Sequence, residues 1–162
     1  DSQNRIQSMA LIHQTLYQSN NFARVDFADF LEALIPTLVN SYSVSGKNIT
    51  LAVNVDEVYL PINSAIPCGL LINELITNAL KHAFTERNEG KISVSLSAIE
   101  NNEIQLSISD DGNGIPEHLN LDEVETLGLR LVNLLSQQLN GVLRIQRQQP
   151  TEFVLSFPLT EH

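Results

Sequence analysis

The chain has one cysteine in 162 residues and no tryptophan. A single thiol, Cys68, excludes an intramolecular disulfide and a zinc site built from cysteines. Basic residues are also few: nine Lys and Arg stand against nineteen Asp and Glu, a net charge of -10. The nine are scattered, without the patch that a binder of phosphate backbones carries, so no nucleic-acid partner is expected. No apolar run reaches the ~18–20 residues of a membrane span, and no secretory leader is visible. The expectation is therefore a cytoplasmic chain with no membrane segment. Low-complexity tracts are missing as well, which excludes extended disorder. What remains is a globular composition, 43% hydrophobic with seven Gly and six Pro, at a length suited to one domain. Folding at this size buries roughly 70% of the unfolded surface. The chain opens on Asp1 inside a helical pattern, which predicts a piece of a longer protein.

Residues 5–17 set Ile6, Met9, Ala10, His13, Leu16 and Tyr17 at spacings of three and four, a one-sided helix ended by Ser19, Asn20 and Asn21. A second helix is predicted from Phe27 to about Tyr42, with Pro36 inside it predicting a kink or a later start. Strict alternation then marks strands at 49–55, 92–97, 104–109 and 153–157, with a weaker one at 142–147. Alternation means a sheet with one wet and one dry face. The short connections Ala98–Asn102 and Gln148–Pro150 suit antiparallel hairpins. Helices at about Ser64–Phe84 and Leu127–Leu139, the latter closed by Gly141, supply the dry face's partner. The fold class is α/β, a two-layer sandwich of helices on a mixed, mostly antiparallel sheet, with an N-terminal helix.

Three stretches carry chemistry. On the helix from Ser64 to Phe84, a step of ~100° per residue gathers Glu74, Asn78, Lys81 and His82 into a stripe opposite the apolar side. A solvated helix face explains such a stripe equally well. A carboxylate, an amide oxygen and a lysine on adjacent turns also suit a magnesium–phosphate pair, because magnesium takes one or two protein oxygens and leaves the rest to phosphate and water. Asn73 falls toward the packed side and reads as structural. The second stretch, Asp110-Asp111-Gly112-Asn113-Gly114, follows a strand. It reads as a turn, or as a carboxylate able to accept from an exocyclic amine, with glycines that let the backbone approach a flat ligand. The third, Thr126-Leu127-Gly128-Leu129-Arg130, reads as a capped helix entry or as free amides facing phosphate. Between the last two lies an acidic stretch with Glu117, Asp122, Glu123 and Glu125, which reads as a lid or as a solvated loop.

Together these stretches resemble the ATP-binding domain of the GHKL superfamily, the group of gyrase, Hsp90, MutL and the sensor histidine kinases. Asn73–Phe84 is similar to the N box, Asp110–Gly114 to the G1 box and Thr126–Val132 to the G2 box, while Thr151-Glu152-Phe153 is similar to the closing strand. The match within the superfamily is to short-lid histidine kinases near the HWE group, whose second dimerisation helix carries a string like Arg5–Tyr17. The resemblance implies a Bergerat-type fold that takes ATP and Mg2+. It implies that Asp110 accepts the adenine amine, that Asn78 and Glu74 serve the metal, and that Glu74, Asn78 and Lys81 act in catalysis. It further implies that Lys81 and His82 meet the phosphates and that Gly112, Gly114, Gly128 and Leu129 line the nucleotide, with Thr151 supporting the adenine through Asp110 or a water. Gln148-Gln149-Pro150 stands where the family often has glycines, and no aromatic-rich F box is present.

The resemblance also divides the chain. Residues 1–22 would end the dimerisation and phosphotransfer helices, and residues 23–162 would form the catalytic domain. The phosphoacceptor histidine would lie on a helix upstream of Arg5, so the partners implied are those upstream helices, a second copy in a homodimer and a response-regulator receiver domain. His13 is followed by Gln14 rather than a charged residue and sits on the apolar seam, which argues against it as the acceptor. His118 and His162 carry no signal. The rival readings are a binding module of the same fold without chemistry, against which intact Glu74, Asn78 and Asp110 stand, and an ATPase with Glu74 as general base.

Overall fold

Among the described residues, strand first gives way to helix at Asp26. Strand β1 (Arg24–Asp26) runs directly into helix α1 (Phe27–Tyr42). Asp26 Oδ1 accepts from the Asp29 N–H at 3.3 Å, satisfying a first-turn donor. Phe27, Phe30, Leu31, Leu34 and Ile35 form the buried stripe of α1, and the rings of Phe27 and Phe30 stack with centroids 5.2 Å apart. The helix neither starts after Pro36 nor stops at it, although that ring offers no N–H to the Glu32 carbonyl.

These elements come from a computed structural model that describes residues 10, 24–42, 48–80, 89–99, 102–114, 129–147 and 150–158. The predicted helix at 5–17 lies outside them except for Ala10, which is helical and exposed.

Beyond α1 come β2 (Asn48–Val55), β3 (Tyr59–Pro61), α2 (Ile62–Asn78), β4 (Glu89–Ile99), β5 (Glu103–Asp110), α3 (Leu129–Gln138), β6 (Val142–Gln146) and β7 (Thr151–Pro158). Five strands form one sheet in the order β2-β4-β5-β7-β6, with β2 parallel to β4 and every other pair antiparallel. The alternation sorts side chains as expected. Ile92, Val94, Leu96, Ile104, Leu106, Ile108, Leu155 and Phe157 are buried, whereas Ser93, Ser95, Ser97, Ser107 and Ser109 on the other face are half-exposed. Helices α1, α2 and α3 complete the core, with α2 packed against both α1 and α3. Among the described residues no helix is long and apolar enough to cross a membrane.

Three features depart from the sequence reading. Strands β1 and β3 pair antiparallel in a separate two-stranded ribbon, Val25 opposite Leu60. At three residues each, they are too short to show a period of two. Helix α2 begins at Ile62, and its α geometry ends at Asn78, where Ala79 and Leu80 adopt a π turn. The end of α3 is not closed by a left-handed Gly141. Asn140 takes that conformation, with φ 57°, while the Gly141 N–H donates to Ser136 O at 2.9 Å and the Asn140 N–H to Gln137 O at 3.0 Å. That pair of bonds is a Schellman cap. Gly141 is needed for space instead, because a Cβ there would sit 2.7 Å from Leu155 Cδ1 and 3.1 Å from the Ser156 carbonyl.

Candidate functional site

The period of β5 determines where its last residue faces. Ile104, Leu106 and Ile108 are buried at alternate positions, and Asp110, in the same phase, is buried with them at 8% exposure. A carboxylate is thereby placed on the apolar, helix-covered side of a central strand. Its Oδ1 accepts from the Gly112 N–H at 2.9 Å. Burial pushes the Asp110 carboxyl above its ordinary range, the bond from Gly112 pulls it back, and the neighbouring Asp111 charge raises it further. Among the described residues no cation pairs with it.

The residues after Asp110 divide the work. Asp111 is exposed, and its Oδ1 accepts from the Lys91 N–H at 2.8 Å while its own N–H donates to the Lys91 carbonyl at 3.2 Å. This continues the β4–β5 ladder one residue past the strand, a structural role. Gly114 adopts φ 82°, open to glycine at no steric cost. Gly112 is an amide donor and does not have positive φ. Thr151, the first residue of β7, pairs directly with Asp110, so both side chains lie on the same sheet face. Thr151 is buried, and its hydroxyl donates to the Arg147 carbonyl at 2.9 Å rather than to Asp110.

On α2 the expected stripe opposite the apolar side is corrected. Every residue from Leu71 to Thr77 is buried, Glu74 among them at 3% exposure, and Asn78 is half-buried. The physical reason is position, since α2 packs against α1, α3 and β5 and has no open side over these turns. Glu74 and Asn78 share one track at i and i+4. Asn73 is buried, as its place on the packed side implied. Three buried polar atoms on these turns lack a hydrogen-bond partner: Asn73 Oδ1, Thr77 Oγ1 and Asn78 Nδ2.

Helix α2 contacts both β5, the strand that ends at Asp110, and α3, the helix that begins at Leu129. Lys81, His82 and Gly128 lie outside the described residues. Ala79 and Leu80, the last described residues before Lys81, form a π turn. Among the described residues no three His, Cys, Asp or Glu side chains gather to hold a metal alone. Glu74 and Asn78 supply two hard oxygens, the number that magnesium takes from protein when phosphate and water complete its shell.

A family model described as histidine kinase-, DNA gyrase B-, and HSP90-like ATPase matches residues 64–161, and one described as histidine kinase matches residues 1–42. Blue-light-activated histidine kinase 2 of Erythrobacter litoralis is 30% identical over 145 residues, 88% of this chain and 42% of that protein. Sensor histidine kinase PdtaS of Mycobacterium tuberculosis is 28% identical over 163 residues, 98% of this chain and 32% of that protein. The chain thus spans less than half the length of these curated relatives. The solved histidine kinase domain of the Erythrobacter litoralis EL346 blue-light activated histidine kinase superposes with a TM-score of 0.87 at 27% identity, over 97% of this chain and 74% of that one.

Proposed function

Because the chain belongs to the histidine kinase-, DNA gyrase B- and HSP90-like ATPase family, we propose that it is the ATP-binding catalytic part of a cytoplasmic sensor histidine kinase, passing the γ-phosphoryl group of ATP to a histidine. Asp110 accepts the adenine amine, and Gly112 and Gly114 let the backbone close on the base. Glu74 and Asn78 hold Mg2+ against the phosphates, Lys81 and His82 meet the phosphate oxygens, and Gly128 and Leu129 flank them. Thr151 supports the adenine side beside Asp110. Phosphoryl transfer needs positioning and charge neutralisation more than covalent help, and these groups supply both. The accepting histidine is assigned to a helix upstream of Arg5. Residues 1–22 belong with that helical region and residues 23–162 with catalysis. The partners are a second copy of the protein and a response-regulator receiver domain.

The observation that carries the reading is Asp110, a carboxylate buried on the core face with no cation beside it among the described residues. An acceptor held in that state suits a neutral donor such as an amine. Calorimetric titration of Asp110→Ala with ATP and magnesium tests it. A hydrogen bond to a charged group contributes ~1.5–3 kcal/mol, so affinity should fall about tenfold to a hundredfold in a folded variant. Unchanged affinity would remove the adenine assignment.

A further inference from the structure

Asn73 and Thr77 lie one helical turn apart on α2 and are 1% and 3% exposed. Asn73 Oδ1 and Thr77 Oγ1 are both buried without a hydrogen-bond partner. Such orphans are rare in folded proteins, and two at i and i+4 on one helix point to a shared partner. That spacing sets the two Cβ atoms ~5–6 Å apart, a span one water closes with two hydrogen bonds of ~2.8 Å. The same face of α2 carries Ile66 and Leu70, which are partly buried and offer no polar side-chain atom. A threonine in a helix often turns its hydroxyl back onto its own backbone, and Thr77 does not, since its Oγ1 has no partner.

We propose that Asn73 and Thr77 bind one internal water molecule, which donates to Asn73 Oδ1 and accepts from the Thr77 hydroxyl. Buried waters are held by otherwise unsatisfied groups of this kind and make about three bonds each, two of which these residues supply. The water lies on the track beside Glu74 and Asn78, so the turn that carries the candidate catalytic residues is polar over a wider arc than those two side chains alone provide. The assignment is independent of the phosphoryl acceptor and of the nucleotide.

The test is a crystal structure of the chain at a resolution that shows ordered water, joined to a double-mutant cycle of Asn73→Leu and Thr77→Val read by urea unfolding. A water peak within hydrogen-bond distance of both atoms is expected, and it should be absent in Thr77→Val. Each single variant strands the other polar group and should lower the urea midpoint, whereas the double variant should lose less than the sum. A protein group bonded to either atom in place of water, a dry contact, or additive losses would overturn the site. If a variant does not fold, the wild-type density decides alone.

Discussion

Asp110 shows at the scale of one residue how binding and stability oppose each other. Its folded pKa is raised above 3.8, mainly by burial, so the fold favours the neutral carboxyl. The stabilisation gained by protonating it is complete below the ordinary carboxylate value and is lost as pH rises through the raised value. At neutral pH the ionised group therefore works against folding. Asp110→Asn keeps an oxygen for the Gly112 N–H and removes the charge, so its melting temperature should exceed wild type at pH 7. The gain should vanish as the pH of the melts is lowered through the carboxylate range, and an equal gain at both ends would mean that charge is not the cause. Nucleotide affinity should fall in the same variant. Asn78 gives a second contrast. Its amide oxygen is assigned to the metal, so Asn78→Ala should weaken magnesium-dependent ATP binding at least ~10-fold and adenosine binding hardly at all. Equal losses for both ligands, measured side by side by calorimetry, would make Asn78 structural.

Among the elements, the junction of α3 with β6 is sterically tight at Gly141. A methyl group on residue 141 would meet Leu155 Cδ1, the Ser156 carbonyl and Phe157 Cβ at 2.7, 3.1 and 3.2 Å. Gly141→Ala should cost about 1–3 kcal/mol in urea unfolding, the usual penalty for overpacking. This junction also shows what a sequence reveals about an element and what it hides. Gly after a helical run signalled a stop, and the stop is there, but Asn140 makes the left-handed turn and the glycine answers to β7, which is distant in sequence. The long strands were legible because serine alternates with aliphatic residues along β4 and β5. That same alternation, continued one step, puts Asp110 on the buried face. The burial of Glu74 was not legible, because a polar residue on an amphipathic helix reads as solvated until a neighbouring helix is known to cover it. The π turn after Asn78 was hidden too, since Ala79, Leu80, Ala83 and Phe84 continue the apolar spacing across it.

At the scale of the whole molecule, the phosphoryl group is assigned to a histidine upstream of Arg5. In the full-length protein, label from radioactive ATP should survive His13→Ala and, at limiting ATP, fall steeply in Asp110→Ala. Loss of label in His13→Ala would move the acceptor into this chain and overturn the upstream assignment. The sheet order carries a different consequence, one for biosynthesis. Strand β5 is central, yet one of its two neighbours is the last described strand, β7, with Asp110 opposite Thr151 and Glu103 opposite Pro158. A chain leaving the ribosome can close the local β4–β5 hairpin early, but the far edge of β5 stays unpaired until residues 151–158 emerge. Over that interval an open edge with Ile104, Leu106 and Ile108 on one face is a template for pairing with other nascent chains. Under the proposed assignment of Asp110 and Thr151 to adenine, the nucleotide site is incomplete over the same interval, so ATP would not act there as a ligand chaperone.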